Sequence, residues 1–102
     1  MRVLWSESAK TSLADVLDYT LEHFGPRQVT VLTRQIKSTI AKIETFPESS
    51  PIEYLLKDAP FQYRSALVIK QIKIVYRLEG DAIYITFVWN VLQSPKNVLS
   101  KL

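Results

Sequence analysis

The first half of the chain places its apolar side chains at helical spacing. Met1 to Trp5 is a short apolar run, and Ser6 follows it in a position typical of a helix N-cap, which predicts a strand leading directly into a helix. Apolar or small side chains then recur every three or four positions, the spacing of an amphipathic helix: Ala9, Leu13, Val16, Leu17, Thr20, Leu21 and Phe24. Gly25 supplies a C-cap for this helix, and Pro26 is a suitable first residue for the next one.

A second amphipathic helix is predicted to run from Pro26 until Pro47 stops it. Its apolar stripe consists of Val29, Leu32, Ile36, Ile40 and Ile43. Its outward positions are basic: Arg27, Arg34, Lys37 and Lys42. The two helices are therefore expected to form a hairpin with one shared apolar seam.

Beyond the loop sequence 48–51, the apolar period changes from about 3.6 residues to about 2. Three β-branched and aromatic segments have the length of strands: 61–69, 72–78 and 83–89. Residues 54–57 are predicted as a short edge strand, Gly80 as part of a tight hairpin turn, and 97–102 as a polar tail with room for one helical turn. The predicted fold class is α+β, with an N-terminal strand and a two-helix hairpin packed on one face of a mainly antiparallel sheet.

Alternation assigns the side chains of the last two strands to two faces. The face expected to meet the helices holds Ile72, Ile74, Tyr76 and Leu78. The opposite face, expected to be open to partners or water, holds Lys73, Val75, Arg77 and Glu79. In the final strand, the inward side chains are expected to be Ile83, Ile85 and Phe87. Tyr84 and Thr86 then belong to the open surface.

The composition is that of one globular domain spanning residues 1–102, with 47% hydrophobic and 23% charged residues. The chain has no cysteine, which excludes a disulfide framework, a thiol nucleophile and a thiolate metal site. The apolar run at the N-terminus is far shorter than that of a signal peptide, and no later run is long enough to span a bilayer. We therefore expect a cytoplasmic protein that does not bind membranes.

The net charge is +3, and along the chain the excess falls in the second half. Residues 1–52 carry six Lys/Arg and six Asp/Glu, whereas residues 53–102 carry seven and four. A basic surface favours nucleic acid or an acidic protein segment as a partner, although the same charge also serves solubility.

Three stretches point to a known family. They are Tyr63-Arg64, the run 72–83 with its Gly-Asp hairpin, and the closing segment 88–95 with its Gln-x-Pro. Together with the order of the elements, they resemble the RelE/ParE superfamily of toxins from type II toxin–antitoxin systems, and the ParE-like plasmid stabilisation proteins more than the RelE-like members. The resemblance covers nearly the whole chain. It implies a growth-inhibiting toxin encoded beside a cognate antitoxin, whose C-terminal segment wraps the toxin and neutralises it.

The superfamily contains two activities: RelE-like members cut messenger RNA in the ribosome, and ParE-like members poison DNA gyrase without cutting anything themselves. Cleavage through the 2′-hydroxyl needs a proton acceptor, a proton donor and cations for the phosphate. RelE-like toxins supply these with a Lys/Arg cluster plus a Tyr, or a Glu and a His, near the C-terminus. Here Lys73 matches a strand arginine of such toxins, and Arg64 and Arg77 are nearby. However, Trp89 stands in place of the last-strand arginine, and the tail after Pro95 has no Tyr, His or Glu.

We therefore predict a toxin that inhibits growth by binding DNA gyrase, and we assign no catalytic residue to it. The residues expected to contact the target or the antitoxin are Arg64, Lys73, Arg77, Tyr84, Gln93 and Lys96. A ribosome-dependent mRNA endoribonuclease stays open as an alternative, with the catalytic set Lys73, Arg64, Arg77 and Tyr76. A non-toxic relic that acts only in the antitoxin complex also stays open.

Several of these residues have structural interpretations as well. Arg64 lies among apolar neighbours, where its head group can pair with a carboxylate or with helix-end carbonyls. Trp89 is more typical of a core than of a contact surface, and His23 at the end of the first helix suits the helix dipole. No metal-ligand spacing or phosphate-binding loop is present, so neither a cofactor nor a metal is expected. A homodimer and a hetero-oligomer with the antitoxin both stay open.

Overall fold

A computed structural model describes all residues, 1–102, and contains three α-helices, a short 3₁₀ helix and four strands. In chain order these are β1 (Arg2–Trp5), α1 (Glu7–Phe24), α2 (Pro26–Thr45), the 3₁₀ helix (Tyr54–Leu56), β2 (Arg64–Ile69), β3 (Ile72–Glu79), β4 (Ala82–Asn90) and α3 (Pro95–Leu99). None of the helices is both long and apolar enough to cross a bilayer. The predicted α+β class is confirmed, as is the order of the N-terminal strand, the two long helices and the three final strands.

The helical hairpin begins and turns at the predicted residues. The Ser6 Oγ accepts a hydrogen bond from the Ala9 N–H at 3.0 Å, which satisfies one of the free donors at the start of α1. Gly25 adopts a φ of 87°, a left-handed conformation that glycine reaches without strain, and its N–H caps α1 by donating to the Leu21 carbonyl. Pro26 then begins α2. A single glycine therefore reverses the chain between two helices.

The strands form one mixed sheet in the order β1-β4-β3-β2. The pairs β2–β3 and β3–β4 are antiparallel, and β1 pairs in parallel with β4. The helical hairpin covers one face, with α1 against β4 and α2 against β2. The main core lies between this hairpin and the sheet, and its buried strand residues include Ile72, Ile74, Tyr76, Ile83 and Ile85. The prediction that the Ile72 face meets the helices is confirmed.

The opposite face of the sheet, predicted to be open, carries a second and smaller core. Its buried members are Leu56, Tyr63, Val75, Phe87, Trp89 and Val98. The helical turn expected near the C-terminus is present as α3, but Val98 within it is fully buried, so this segment packs on the sheet and is not a polar tail. Val98, Leu99 and Leu102 form a short apolar stripe in this segment, and all three contribute to the second core.

A β-bulge in β4 explains two further errors. Val75 pairs with Phe87 and Tyr76 with Ile85, so Thr86 is an extra residue on β4. Because the side-chain period of a strand is two, the extra residue inverts every position that follows. Phe87 therefore faces the second core and not the helices, and Thr86 is buried and donates to the Val75 carbonyl instead of lying on the open surface.

The predicted edge strand at 54–57 is wrong, because Tyr54–Leu56 form the 3₁₀ helix and Lys57 is its C-cap. The segment just before it lies along β2 instead: Ile52 bridges to Arg64, and the Glu53 N–H donates to the Tyr63 carbonyl at 2.8 Å. β2 itself begins at Arg64 and not at residue 61. This short pairing shields only the first half of the β2 edge, and Leu67 beyond it stays 61% exposed.

Candidate functional site

The four residues of the predicted nuclease set are divided between the two faces of the sheet. Arg64 and Tyr76 are cross-strand partners on the face that packs against the helices. Lys73 and Arg77 alternate with Tyr76 along β3 and therefore point to the other side. The sheet thus separates two of the predicted phosphate ligands from the third cation and from the predicted catalytic tyrosine.

Arg64 and Tyr76 together hold the loop that follows α2. The Arg64 Nη1 donates to the carbonyls of Glu48 at 3.1 Å and Ser50 at 2.8 Å, and the Tyr76 hydroxyl donates to the Pro47 carbonyl at 2.6 Å. These carbonyls follow the C-terminus of α2 and lack a helical partner. The pairing of Arg64 with carbonyls at a helix end is the structural role considered for it from the sequence.

Lys73 is the counter-ion of a buried carboxylate. Its Nζ lies 2.8 Å from the Glu53 Oε1 and 5.4 Å from the centre of the Trp89 ring. Glu53 also accepts hydrogen bonds from the Ser65 hydroxyl at 3.0 Å and from the Leu55 N–H at 3.2 Å. Burial acts to raise the pKa of Glu53, but these donors and the Lys73 charge outweigh it and hold the pKa below its ordinary value. Glu53 therefore stays ionised and cannot act as a proton donor near neutral pH.

Arg77 lies between two aromatic rings. The centre of its guanidinium is 4.2 Å from the Phe61 ring and 4.4 Å from the Tyr84 ring, and Tyr84 is its partner in the β3–β4 register. Its Nη1 lies 2.7 Å from the Glu79 Oε2. With its guanidinium over both rings, only 18% of the Arg77 side chain is exposed. Arg77 consequently fastens the segment before β2 to the sheet and offers little surface to an incoming phosphate.

The tyrosine next to this cluster holds its proton. Tyr63 is buried in the second core, and Phe61 packs edge-on against its ring at 6.5 Å between centres. Burial raises the pKa of Tyr63 by more than the positive charge of Arg77 lowers it. Its phenol is therefore a poor general base near neutral pH.

The loop after β4 presents the exposed members of the predicted contact set. The Trp89 Nε1–H donates to the Gln93 carbonyl at 3.0 Å, so the buried indole fixes the backbone of this loop. The side chains of Gln93 and of Lys96, which lies on α3, are exposed. Gln93 also lines a shallow depression beside Ser12 and Asp15 of α1. This end of the sheet is the part of the predicted site that a macromolecule can reach.

Glu53 ties the 51–56 segment to the sheet through Lys73, and it was not among the residues predicted from the sequence. A lone carboxylate within Pro-Ile-Glu-Tyr-Leu-Leu was the available signal, because an acidic residue surrounded by apolar ones is rarely buried unless it is paired. Its partner is distant in sequence, so the pair itself could not be identified. Across the structure, no three acidic or histidine side chains converge as a metal site would require.

An apolar groove was also missed. It lies between the C-terminal half of α1, the N-terminal half of α2 and the β2–β3 turn, and it has a volume of about 240 Å³. Tyr19, Phe24, Val31 and Ile69 contribute its apolar walls. Tyr19 and Phe24 are 49% and 65% exposed, respectively, although both are aromatic. Exposed aromatic side chains around a groove are typical of a surface that a partner covers.

Comparison with known proteins agrees with this architecture. A family model described as "ParE toxin of type II toxin-antitoxin system, parDE" matches residues 3–94. A solved structure described as the chromosomal ParDE toxin–antitoxin system of P. aeruginosa shares the fold, with a TM-score of 0.70 and 17% identity over 89% of this chain and 96% of that one. No curated protein matches the sequence. The family match spans most of the chain and confirms the resemblance seen in its sequence: the protein belongs to the ParE toxin family of type II toxin–antitoxin systems.

Proposed function

We propose that this protein inhibits growth in the cytoplasm by binding DNA gyrase, and that a cognate antitoxin neutralises it. The family match over residues 3–94 carries the proposal. The geometry of the site supports binding over cleavage, because each candidate catalytic group already has a structural partner. Lys73 neutralises Glu53, Arg77 is stacked between two rings, and Arg64 holds a loop on the other face.

Acid–base catalysis supports the same choice. A ribonuclease needs a group that takes the 2′-hydroxyl proton and a second group that protonates the leaving oxygen. On the face that carries Lys73 and Arg77, Glu53 is held ionised within the fold and Tyr63 is held protonated. Neither group changes its protonation state easily near neutral pH. A toxin that works by occupying its target needs no such group.

For the target-binding surface we assign the loop after β4 and α3. Gln93 and Lys96 are exposed there, on a backbone held by the buried Trp89. Polar side chains on a rigidly supported loop are suited to specific recognition. Arg77 and Tyr84 add only their small exposed parts to this surface, and their main role is to stabilise the sheet through their contact with each other.

For the antitoxin we assign the apolar groove of the helical hairpin together with the exposed side chains near the β2 edge. The second area includes Ile52, Tyr54 and Phe61, which are 49%, 72% and 51% exposed, respectively, and line one depression. An amphipathic segment laid across the hairpin and continuing along the sheet edge would cover both areas. Covering exposed apolar surface in this way yields binding energy roughly in proportion to its area.

The deciding experiment expresses the full chain alone from a tightly controlled promoter and follows growth, chromosomal breakage and transcript integrity. We expect growth arrest with broken DNA and intact transcripts, and recovery when the cognate antitoxin is co-expressed. Cleaved transcripts with intact DNA would overturn the proposal in favour of the ribonuclease, and undisturbed growth would leave the non-toxic relic.

A variant pair tests the assigned target surface. Gln93→Ala with Lys96→Gln should abolish inhibition of purified gyrase supercoiling while preserving the thermal stability of the toxin. The matched control, Lys101→Gln, removes an exposed charge from the same C-terminal segment and should inhibit like the parent. Equal inhibition by all three proteins would show that gyrase is contacted elsewhere.

A further inference from the structure

The helical hairpin separates its charges by helix. α1 carries four carboxylates and a single lysine, whereas α2 carries a single carboxylate, Glu44, and four cations. The four cations of α2 are Arg27, Arg34, Lys37 and Lys42. All four are exposed, and none forms an ion pair within the chain. The even charge balance of the first half of the sequence conceals this separation.

The four cations share one face of α2. Leu32, Ile36 and Ile43 point to the core, and at 100° per residue the cations fall on the opposite side of the helix. From Arg27 to Lys42 they span about 22 Å at 1.5 Å per residue. The other positions of this face hold small or hydroxyl side chains: Thr30, Ser38, Ala41 and Thr45. The half-buried Val31 lies at its border with the apolar groove. We call this surface the α2 cationic face.

The chain itself does not compensate these charges. Like charges three or four residues apart, such as Arg34 and Lys37, destabilise a helix by a few tenths of a kcal/mol. A carboxylate on the neighbouring turn would relieve this repulsion, yet the acidic side chains of α1 form no ion pair with α2. An anionic partner outside the chain would provide the missing counter-charge.

We propose that the α2 cationic face binds the phosphate backbone of duplex DNA. A protein partner would require an apolar centre, since interfaces derive most of their energy from buried aromatic and aliphatic anchors. This face offers only Val31, which is half-buried against the groove and lies at its border. A single strand would require aromatic rings on which its bases stack, and these are also absent from the face. Cations interspersed with hydroxyl groups on a rigid helix match the contacts that proteins make to phosphates. The proposal depends on this face alone and not on gyrase as the target.

The test measures binding of the full chain to a short labelled DNA duplex by fluorescence anisotropy across a salt series. Four phosphate contacts predict a slope of about −3.6 for log K against log salt, which corresponds to about 150-fold weaker binding at 200 mM than at 50 mM salt. Arg34→Gln combined with Lys37→Gln removes two contacts and should reduce the slope by about 2. Both positions are solvent-exposed and glutamine is a good helix former, so a thermal melt should show an intact fold.

The matched control is Lys57→Gln with Lys101→Gln, which removes the same charge from exposed positions outside α2. It should keep the parental slope, and exchanging Arg34→Lys with Lys37→Arg should keep it too. The proposal is overturned if the control loses as much affinity as the α2 variant, if a single strand binds more tightly than the duplex, or if polyglutamate competes as well as DNA at equal charge. The last result would identify the face as a site for an acidic protein segment.

Discussion

Replacing Lys73 with methionine tests whether this lysine serves the fold. The change keeps an unbranched apolar stem but removes the ammonium group, so it leaves Glu53 buried, 6% exposed, without its counter-ion and takes the cation away from the Trp89 ring. Removing one partner of a buried pair typically costs about 3–5 kcal/mol. Glu53 keeps its bonds from Ser65 and Leu55, and the Lys73 side chain is 26% exposed, so we expect a smaller loss of about 2–3 kcal/mol near neutral pH.

The stability difference between the parent and the Lys73 variant should depend on pH through the ionisation of Glu53. In the parent protein the pKa of Glu53 is lower folded than unfolded, so its contribution to stability is present above the unfolded pKa and is lost as pH falls through the folded one. Without Lys73, burial should dominate and raise the pKa of Glu53 above its ordinary value. Protonation of Glu53 then removes the unpaired buried charge from the variant. The difference in the free energy of unfolding between the two proteins should therefore become smaller as pH falls from 7 towards 4.

Urea denaturation of both proteins across this pH range measures the loss of stability. In a thermal melt near pH 7, the melting temperature should fall by about 8–24 °C for a domain of this size. Lys73→Arg serves as the control, since it keeps a cation next to Glu53. A loss below about 0.5 kcal/mol that does not vary with pH would refute the reasoning, because an exposed ion pair behaves in that way.

Three further predictions concern the buried contacts around the sheet. Ser12→Ala removes the hydroxyl that accepts from the Val88 N–H at 2.8 Å, so chemical denaturation should show a free energy of unfolding that is lower by about 1–3 kcal/mol. The exposed control Thr11→Ala should show almost no loss, and equal effects of the two changes would contradict the role of this bond. Arg77→Lys keeps the positive charge but should lower the free energy of unfolding by about 1 kcal/mol in a thermal melt, because lysine has no planar guanidinium to place over the two rings. A stability equal to that of the parent would argue against a contribution from these ring contacts. Trp89→Phe removes the hydrogen bond to the Gln93 carbonyl, so amide hydrogen exchange should become faster in the loop after β4 while β3 stays protected. Unchanged exchange in that loop would mean that other contacts hold it.

The helical half of the protein could be predicted from the sequence because its capping residues and its hydrophobic spacing act locally. Ser6 caps α1 through a bond three residues away, and Gly25 with Pro26 reverses the chain within two positions. Hydrophobic spacing at 3.6 residues per turn identifies the buried stripe of a helix without reference to any other element. The hairpin turn at Gly80, where φ is 58°, depends on adjacent residues in the same way.

The functional surface was less predictable, since a candidate residue can be identified by type without its partners being known. Lys73, Arg64 and Arg77 were recognised as a set of cations, but the sequence does not state that Arg64 faces the helices while the others face the second core. The partner of Lys73 is Glu53, 20 residues earlier, and it meets the lysine only when the 51–53 segment lies along β2.

Tertiary structure decided the remainder through pairing register. The bulge at Thr86 becomes visible only when β4 is aligned with β3, and it moves Phe87 from the helical face to the second core. Val98 is buried because the chain returns across that same face, and the apolar spacing of the C-terminal segment does not specify which surface it covers. The sequence by itself therefore determined the helices, their junction and the alternation within each strand. The assembled sheet determined which side chains each face presents and which face is covered. An inserted residue shifts the alternation, and a distant segment buries a face, without a local signal in the strand itself.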